Sequence, residues 1–181
     1  VWGIEFARGE TTSPLRRMGA TQSTGTKMTF KPDPQIFETP SFSYDVLERR
    51  LQELAFLNKG VRIQLRDDRS GQKAEFCYQD GLTEFVAWLN RTETPLFPDV
   101  IRIQGKDQGI EVDIALQYND GYNENVHCFA NNIPNPDGGT HLSGFRSALT
   151  RALNSYGKKA GEFKDLEPRS EEHTSELQSP Y

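Results

Sequence analysis

The chain has 181 residues, with 21 Lys+Arg against 26 Asp+Glu for a formal net charge of −5, and its mean hydropathy is −0.70. Eleven Phe, six Tyr and two Trp exclude a disordered tail, because that many buried-type side chains drive collapse. No apolar run reaches the roughly 20 residues that a membrane span needs.

Two cysteines, Cys77 and Cys128, without a Cys-x-x-Cys pair exclude a zinc ribbon or a disulfide framework. They suit a reducing, cytoplasmic setting, where lone cysteines behave as small apolar side chains. The mild acidity makes any contact with nucleic acid a local matter. The chain opens on Val1-Trp2-Gly3 with neither an initiator Met nor a signal peptide. Residues 169–181 lack an apolar period and resemble a translated sequencing adapter, a non-native tail that removes His173 as a site candidate. The expectation is an internal slice of a longer reading frame.

In chain order, Trp2 to Ala7 alternates as a strand does, Arg8-Gly9-Glu10 makes a turn, and residues 11–23, polar and carrying Pro14, read as a loop. Residues 25–30 read as a second strand, with Met28 and Phe30 on one face and Thr26 in line with them. Ser43 is the expected N-cap of a helix whose Leu47, Leu51, Leu54 and Asn58 follow the helical period, with Gly60 as its stop. Val61 to Leu65 alternates strictly, a turn follows, and Ala74 to Tyr78 returns, which predicts a hairpin. Leu82 to Asn90 reads as a short helix. Two alternating sets follow, Val100–Ile103 and then Val112, Ile114, Leu116 and Tyr118. Asn119-Asp120-Gly121 turns the chain toward Val126, Cys128 and Ala130. The last element runs through Leu142, Phe145, Leu149 and Tyr156 to an expected end at Gly157.

Chemistry-bearing patterns are sparse. Neither a Gly-x-x-x-x-Gly-Lys-[Ser/Thr] loop nor a Gly-x-Gly-x-x-Gly loop occurs. His127 reads as a face-filling strand residue, and no carboxylates are spaced as an acid–base pair, so no catalytic residue and no metal ligand is assigned. Asp137-Gly138-Gly139-Thr140 precedes the last helix. It suits either an anion at a helix N-terminus or a tight turn with Thr140 as an ordinary N-cap. Arg146, Arg151, Lys158 and Lys159 on that helix form either a solvated face or a stripe for phosphate.

Several segments together resemble the B-subunit family of bacterial DNA gyrase. They are residues 24–33, Ile36-Phe37-Glu38, Leu47 to Asn58, Ala115 to Gly121, Asn131-Asn132-Ile133 and Asp137 to Arg146. The likeness runs from Val1 to about Glu167, and the B subunit of topoisomerase IV is a close relative. It implies an α+β chain. Residues 1–81 would be the C-terminal half of a GHKL ATPase domain, an α/β sandwich. Residues 82–168 would be an incomplete ribosomal-protein-like transducer domain with a β-sheet and a long helix.

The implied function is part of an ATP-dependent type II topoisomerase that introduces negative supercoils. Its implied cofactors are ATP and Mg2+, and its partners DNA, the gyrase A subunit and a second B subunit on ATP binding. Residue by residue, Thr26 resembles the threonine that meets the adenine ring with an Asp and a water. Met28 stands as an apolar wall of the same pocket, and Arg146 as an arginine facing the transported duplex. A pleated strand and a plain core would take Thr26 and Met28 equally well. The Mg-binding and catalytic residues fall outside the slice, which alone should not hydrolyse ATP. A non-catalytic module that binds DNA or a partner on the same scaffold is the reading from a different class. Losing part of the ATPase domain should leave Phe6, Met28, Phe30 and Leu65 uncovered.

Overall fold

The structure is a computed structural model that describes residues 1–162; the tail at 169–181 and His173 lie outside the described residues. The chain is α+β, with four two-stranded antiparallel sheets and three α-helices among the described residues. It divides into two compact units. One comprises Val1–Glu53 with Arg62–Cys77, the other Leu54–Val61 with the described residues from Tyr78 onward.

In the first unit, β1 (Trp2–Ala7) pairs with β2 (Glu10–Arg17). Arg8 and Gly9, both at positive φ, form the two-residue loop whose twist matches that of the strands it joins. The loop expected at 11–23 is therefore half strand. Pro14 is tolerated because β2 carries an extra residue between Ser13 and Arg16, opposite the step from Gly3 to Glu5, and a bulge needs no ladder N–H there. The expected strand at 25–30 does not form. The sequence alternates suitably, but no neighbouring strand among the described residues pairs with it. Phe30 instead packs edge-on against Phe42, with ring centroids 5.0 Å apart.

The hairpin forms as expected. Its strands β3 (Ile63–Arg66) and β4 (Lys73–Phe76) run in unbroken register from Ile63↔Phe76 to Arg66↔Lys73. Helix α1 (Tyr44–Leu57) begins where the Ser43 carbonyl accepts the Leu47 N–H, and its last turn belongs to the second unit. Phe6 (61 % exposed), Met28 (80 %) and Phe30 (61 %) are uncovered as expected, whereas Leu65 is half-buried.

The second unit holds the three buried hydrophobic residues found among the described residues, Ala55, Phe56 and Phe85. Phe56, on α1, is 2 % exposed and stacks on Tyr78 at 3.7 Å and on Phe85 at 5.0 Å. Helix α2 (Leu82–Leu89) brings Phe85 and Trp88 into this cluster. Gly81 opens α2 at φ +60, and a Cβ there would sit 3.2 Å from the Phe56 carbonyl oxygen, so only glycine fits without strain. Glu84, in the first turn of α2, accepts the Asp80 N–H at 2.7 Å, which ties the residue before the N-cap to the first turn.

Strands β5 (Ile101–Asp107) and β6 (Ile110–Leu116) form a second regular hairpin around Gln108-Gly109, both at positive φ. The strand expected from Val126 to Ala130 shrinks to β7 (Phe129–Ala130), paired with β8 (Ile133–Pro134). Asn131 and Asn132 supply the two left-handed turn residues between them, a conformation that asparagine tolerates.

Helix α3 (Thr140–Ala160) runs on past Gly157, which is buried inside it. It ends at Gly161 (φ +72), where the Gly161 N–H donates to Lys158 O and the Glu162 N–H to Gly157 O. That bond pair is the Schellman arrangement, and it explains why the later glycine, not Gly157, stops the helix. Gly139 takes the N-cap position and Thr140 is the first helical residue, without a side-chain cap.

Candidate functional site

The candidate nucleotide residues lie in the first unit and the candidate DNA-facing residue in the second. Thr26 and Met28 are both exposed and stand two residues apart on the segment that forms no strand. Nothing apolar encloses Met28, so it is a surface side chain and not core. Thr26 offers a hydroxyl that can donate and accept at once.

The loop after this segment is fixed by charge. The Arg8 Nε donates to Asp33 Oδ2 at 2.6 Å, and Arg8 also donates to Gln35 Oε1. The Gln35 backbone N–H and the Arg8 guanidinium together hold the Asp33 carboxyl below the usual carboxylate range.

Arg146 sits on α3 with its Nη2 donating to Glu124 Oε2 at 2.8 Å; the two side chains are 54 % and 68 % exposed. An ion pair this open exchanges readily with solvent and other anions. Glu124 was invisible to pattern reading, because only the path of the chain from 119 to 128 brings it to α3. His127 lies just before β7 rather than within a strand, with its ring 5.5 Å from Phe85.

The remaining perturbed groups are structural. Hydrogen bonds from the Arg69 side chain and backbone push the Asp67 carboxyl down to about 2. Arg69 also donates to Phe42 O at 2.9 Å, so the β3–β4 turn is clamped to the segment before α1. Arg102 donates to both oxygens of Asp113 across β5 and β6, and Gln104 adds a third bond. These bonds lower the Asp113 carboxyl and raise the Arg102 guanidinium. Burial, followed by the charges of Glu48, Asp45 and Asp67, raises the Tyr44 phenol. The shifted carboxyls are thus all driven toward the anion, whereas a general acid at neutral pH needs the opposite shift. Among the described residues, no three His, Cys, Asp or Glu side chains gather to hold a metal ion. No helix among them is long and apolar enough to cross a membrane.

The family model described as DNA gyrase B matches residues 81–176, from the glycine that opens α2 through the whole of α3. The chain belongs to the DNA gyrase B family. It is 49 % identical over 166 residues to the DNA gyrase B subunit of Clostridium acetobutylicum, covering 91 % of this chain and 26 % of that protein. It is 43 % identical over 163 residues to the DNA topoisomerase 4 B subunit of Bacillus subtilis, covering 90 % of this chain and 25 % of that one. The chain thus spans about a quarter of the length of these curated relatives. Among solved structures, it resembles the 43K ATPase domain of Thermus thermophilus gyrase B, crystallised in complex with an aminocoumarin. The TM-score is 0.78 at 39 % identity, covering 93 % of this chain and 46 % of that chain. The α+β class is the one that the structural match carries.

Proposed function

We propose that this chain is a segment of the B subunit of a bacterial DNA gyrase, an ATP-dependent type II topoisomerase that couples ATP binding and hydrolysis to strand passage and negative supercoiling. The observation that carries the reading is the 93 % coverage, at TM-score 0.78, by the ATPase domain of a gyrase B. Residues 1–81 are then the C-terminal half of the GHKL ATPase domain, and residues from Leu82 to about 168 part of the transducer. The activity belongs to the longer, cytoplasmic protein acting with the gyrase A subunit and DNA, with two B subunits pairing on ATP. This chain alone does not turn over ATP.

Bound ATP with Mg2+ supplies the free energy and the conformational signal of such a cycle. The contribution of this chain is limited and specific. Thr26 would offer a hydroxyl to the adenine ring, and Met28 would be an apolar wall of the same pocket. Arg146 offers a cation to a phosphate, exchanging Glu124 for DNA, a contact that is independent of sequence and weakened by salt.

A binding titration of a non-hydrolysable ATP analogue to the longer protein tests the reading. Thr26→Ala should weaken binding about two- to tenfold, the worth of one net hydrogen bond, and Thr26→Ser should restore it. Equal affinities for all three proteins would remove Thr26 from the site.

The 43 % identity to a topoisomerase 4 B subunit supports a second reading, in which the longer protein decatenates DNA without supercoiling it.

A further inference from the structure

Two of the segments that carry the family resemblance meet in space through a pair of side-chain amides. Asn58 closes α1, and its Nδ2 donates to Leu54 O at 2.7 Å, inside the last turn of its own helix. Its Oδ1 accepts from Asn132 Nδ2 at 3.0 Å, across 74 residues of sequence. The polarity is forced. A carbonyl oxygen only accepts, so Asn58 must turn its NH2 toward Leu54 and present its oxygen outward, where only a donor can pair with it. Neither Asp nor Ser at position 58 could satisfy both bonds in this geometry.

Both ends of this relay are fixed. On one side, α1's last turn carries Phe56 into the aromatic cluster, and Asn58 is held further by its N–H to Leu54 O and by the Val61 N–H to its own carbonyl. On the other side, Asn132 occupies a left-handed position (φ +65) in the two-residue turn of β7–β8. That turn leads into the Asn135 N–H to Cys128 O bond, the turn closed by Gly138 N–H to Asn135 O, and the start of α3.

We infer that the Asn132–Asn58–Leu54 relay is a mechanical tie that makes the last turn of α1 and the β7–β8 turn open and close as one element. A movement of that last turn is thereby delivered to the segment that feeds α3. The role of that delivery in a nucleotide cycle rests on the function proposed above; the tie itself does not.

Amide hydrogen exchange on the full 181-residue chain, without nucleotide, tests it. Asn132→Gly keeps a residue suited to positive φ while removing the donor. Asn132→Asp keeps the shape and sets an acceptor against Asn58 Oδ1. Both should speed exchange at residues 54–61 about three- to tenfold, the range expected from losing one net hydrogen bond. The β5–β6 hairpin should stay unchanged. Asn58→Ala, which removes the acceptor of the Asn132 bond, should reciprocally speed exchange at residues 129–134, an effect that a purely local role of Asn58 would not produce. Changes confined to the mutated side in all three variants would overturn the tie. Failure of the longer protein to bind ATP would defeat the functional reading alone, because this exchange experiment needs no nucleotide.

Discussion

Replacing Phe56 by Ala removes the largest fully buried side chain among the described residues. The ring contacts Tyr78, Phe85 and Trp88 at centroid distances of 3.7, 5.0 and 6.0 Å, so no single neighbour can swing in to fill the space. A buried Phe→Ala change costs about 3–5 kcal/mol, of which aromatic pairing supplies about 0.5–1.5 per pair. Because Ala55 and Phe85 are the other buried hydrophobic residues among the described residues, the loss should take a large share of the margin of a domain stabilised by roughly 5–15 kcal/mol. At about 4–8 °C per kcal/mol for a domain of this size, the near-UV circular dichroism melt reporting on Trp88 should fall by about 15 °C or more. Leu153→Ala on the exposed side of α3 serves as the control and should move it little. A Phe56→Ala melt within about 5 °C of the parent would show that the stability of the second unit resides elsewhere, and the aromatic cluster would lose its place as the core.

Arg69→Gln should raise the Asp67 carboxyl from about 2 toward 3.8, as followed by carbon NMR titration; an unmoved value would refute the clamp. Since the folded-state value is depressed, the clamp contributes stability above about pH 4 and loses it as the pH falls toward about 2, so the β3–β4 turn should loosen in acid while staying closed at neutral pH. Arg146→Ala should change stability by less than about 1 kcal/mol, because its pair with Glu124 is open to solvent. In the longer protein the same change should lower the salt slope of DNA binding by about 1 for every DNA sequence tested; a sequence-dependent loss would mean a base contact. Sedimentation of the chain should show concentration-dependent association through its uncovered Trp2, Phe6, Leu15 and Met28. A strictly monomeric boundary at all concentrations would count against that.

Elements whose partner lies next in sequence were legible. The strict alternation of Val61–Leu65 and Ala74–Tyr78 became β3 and β4, and the short apolar run after Gly81 became α2. Elements whose state depends on a distant partner were not. Residues 25–30 alternate like a strand but have no described neighbour to pair with. Residues 10–17 are the exception among local pairs: their partner β1 lies next in sequence, but a proline among polar residues hid a strand whose bulge absorbs Pro14. Two glycines competed to end α3, and the hydrogen bonds that Gly161 and Glu162 can make decided it. The candidate site was legible only through family resemblance. A lone Thr, a Met and an Arg carry no spacing signal, and the ion partner of Arg146 and the amide partner of Asn58 are set by tertiary path.

The most direct measurement is a plasmid assay on the longer protein reconstituted with a gyrase A subunit, starting from relaxed circular DNA with and without ATP. Negative supercoils that appear only with ATP are the predicted result. Decatenation of linked circles in a parallel reaction, without supercoiling of the relaxed ones, would move the chain to the topoisomerase IV reading, and no ATP-dependent change in topology would contradict the proposed function outright.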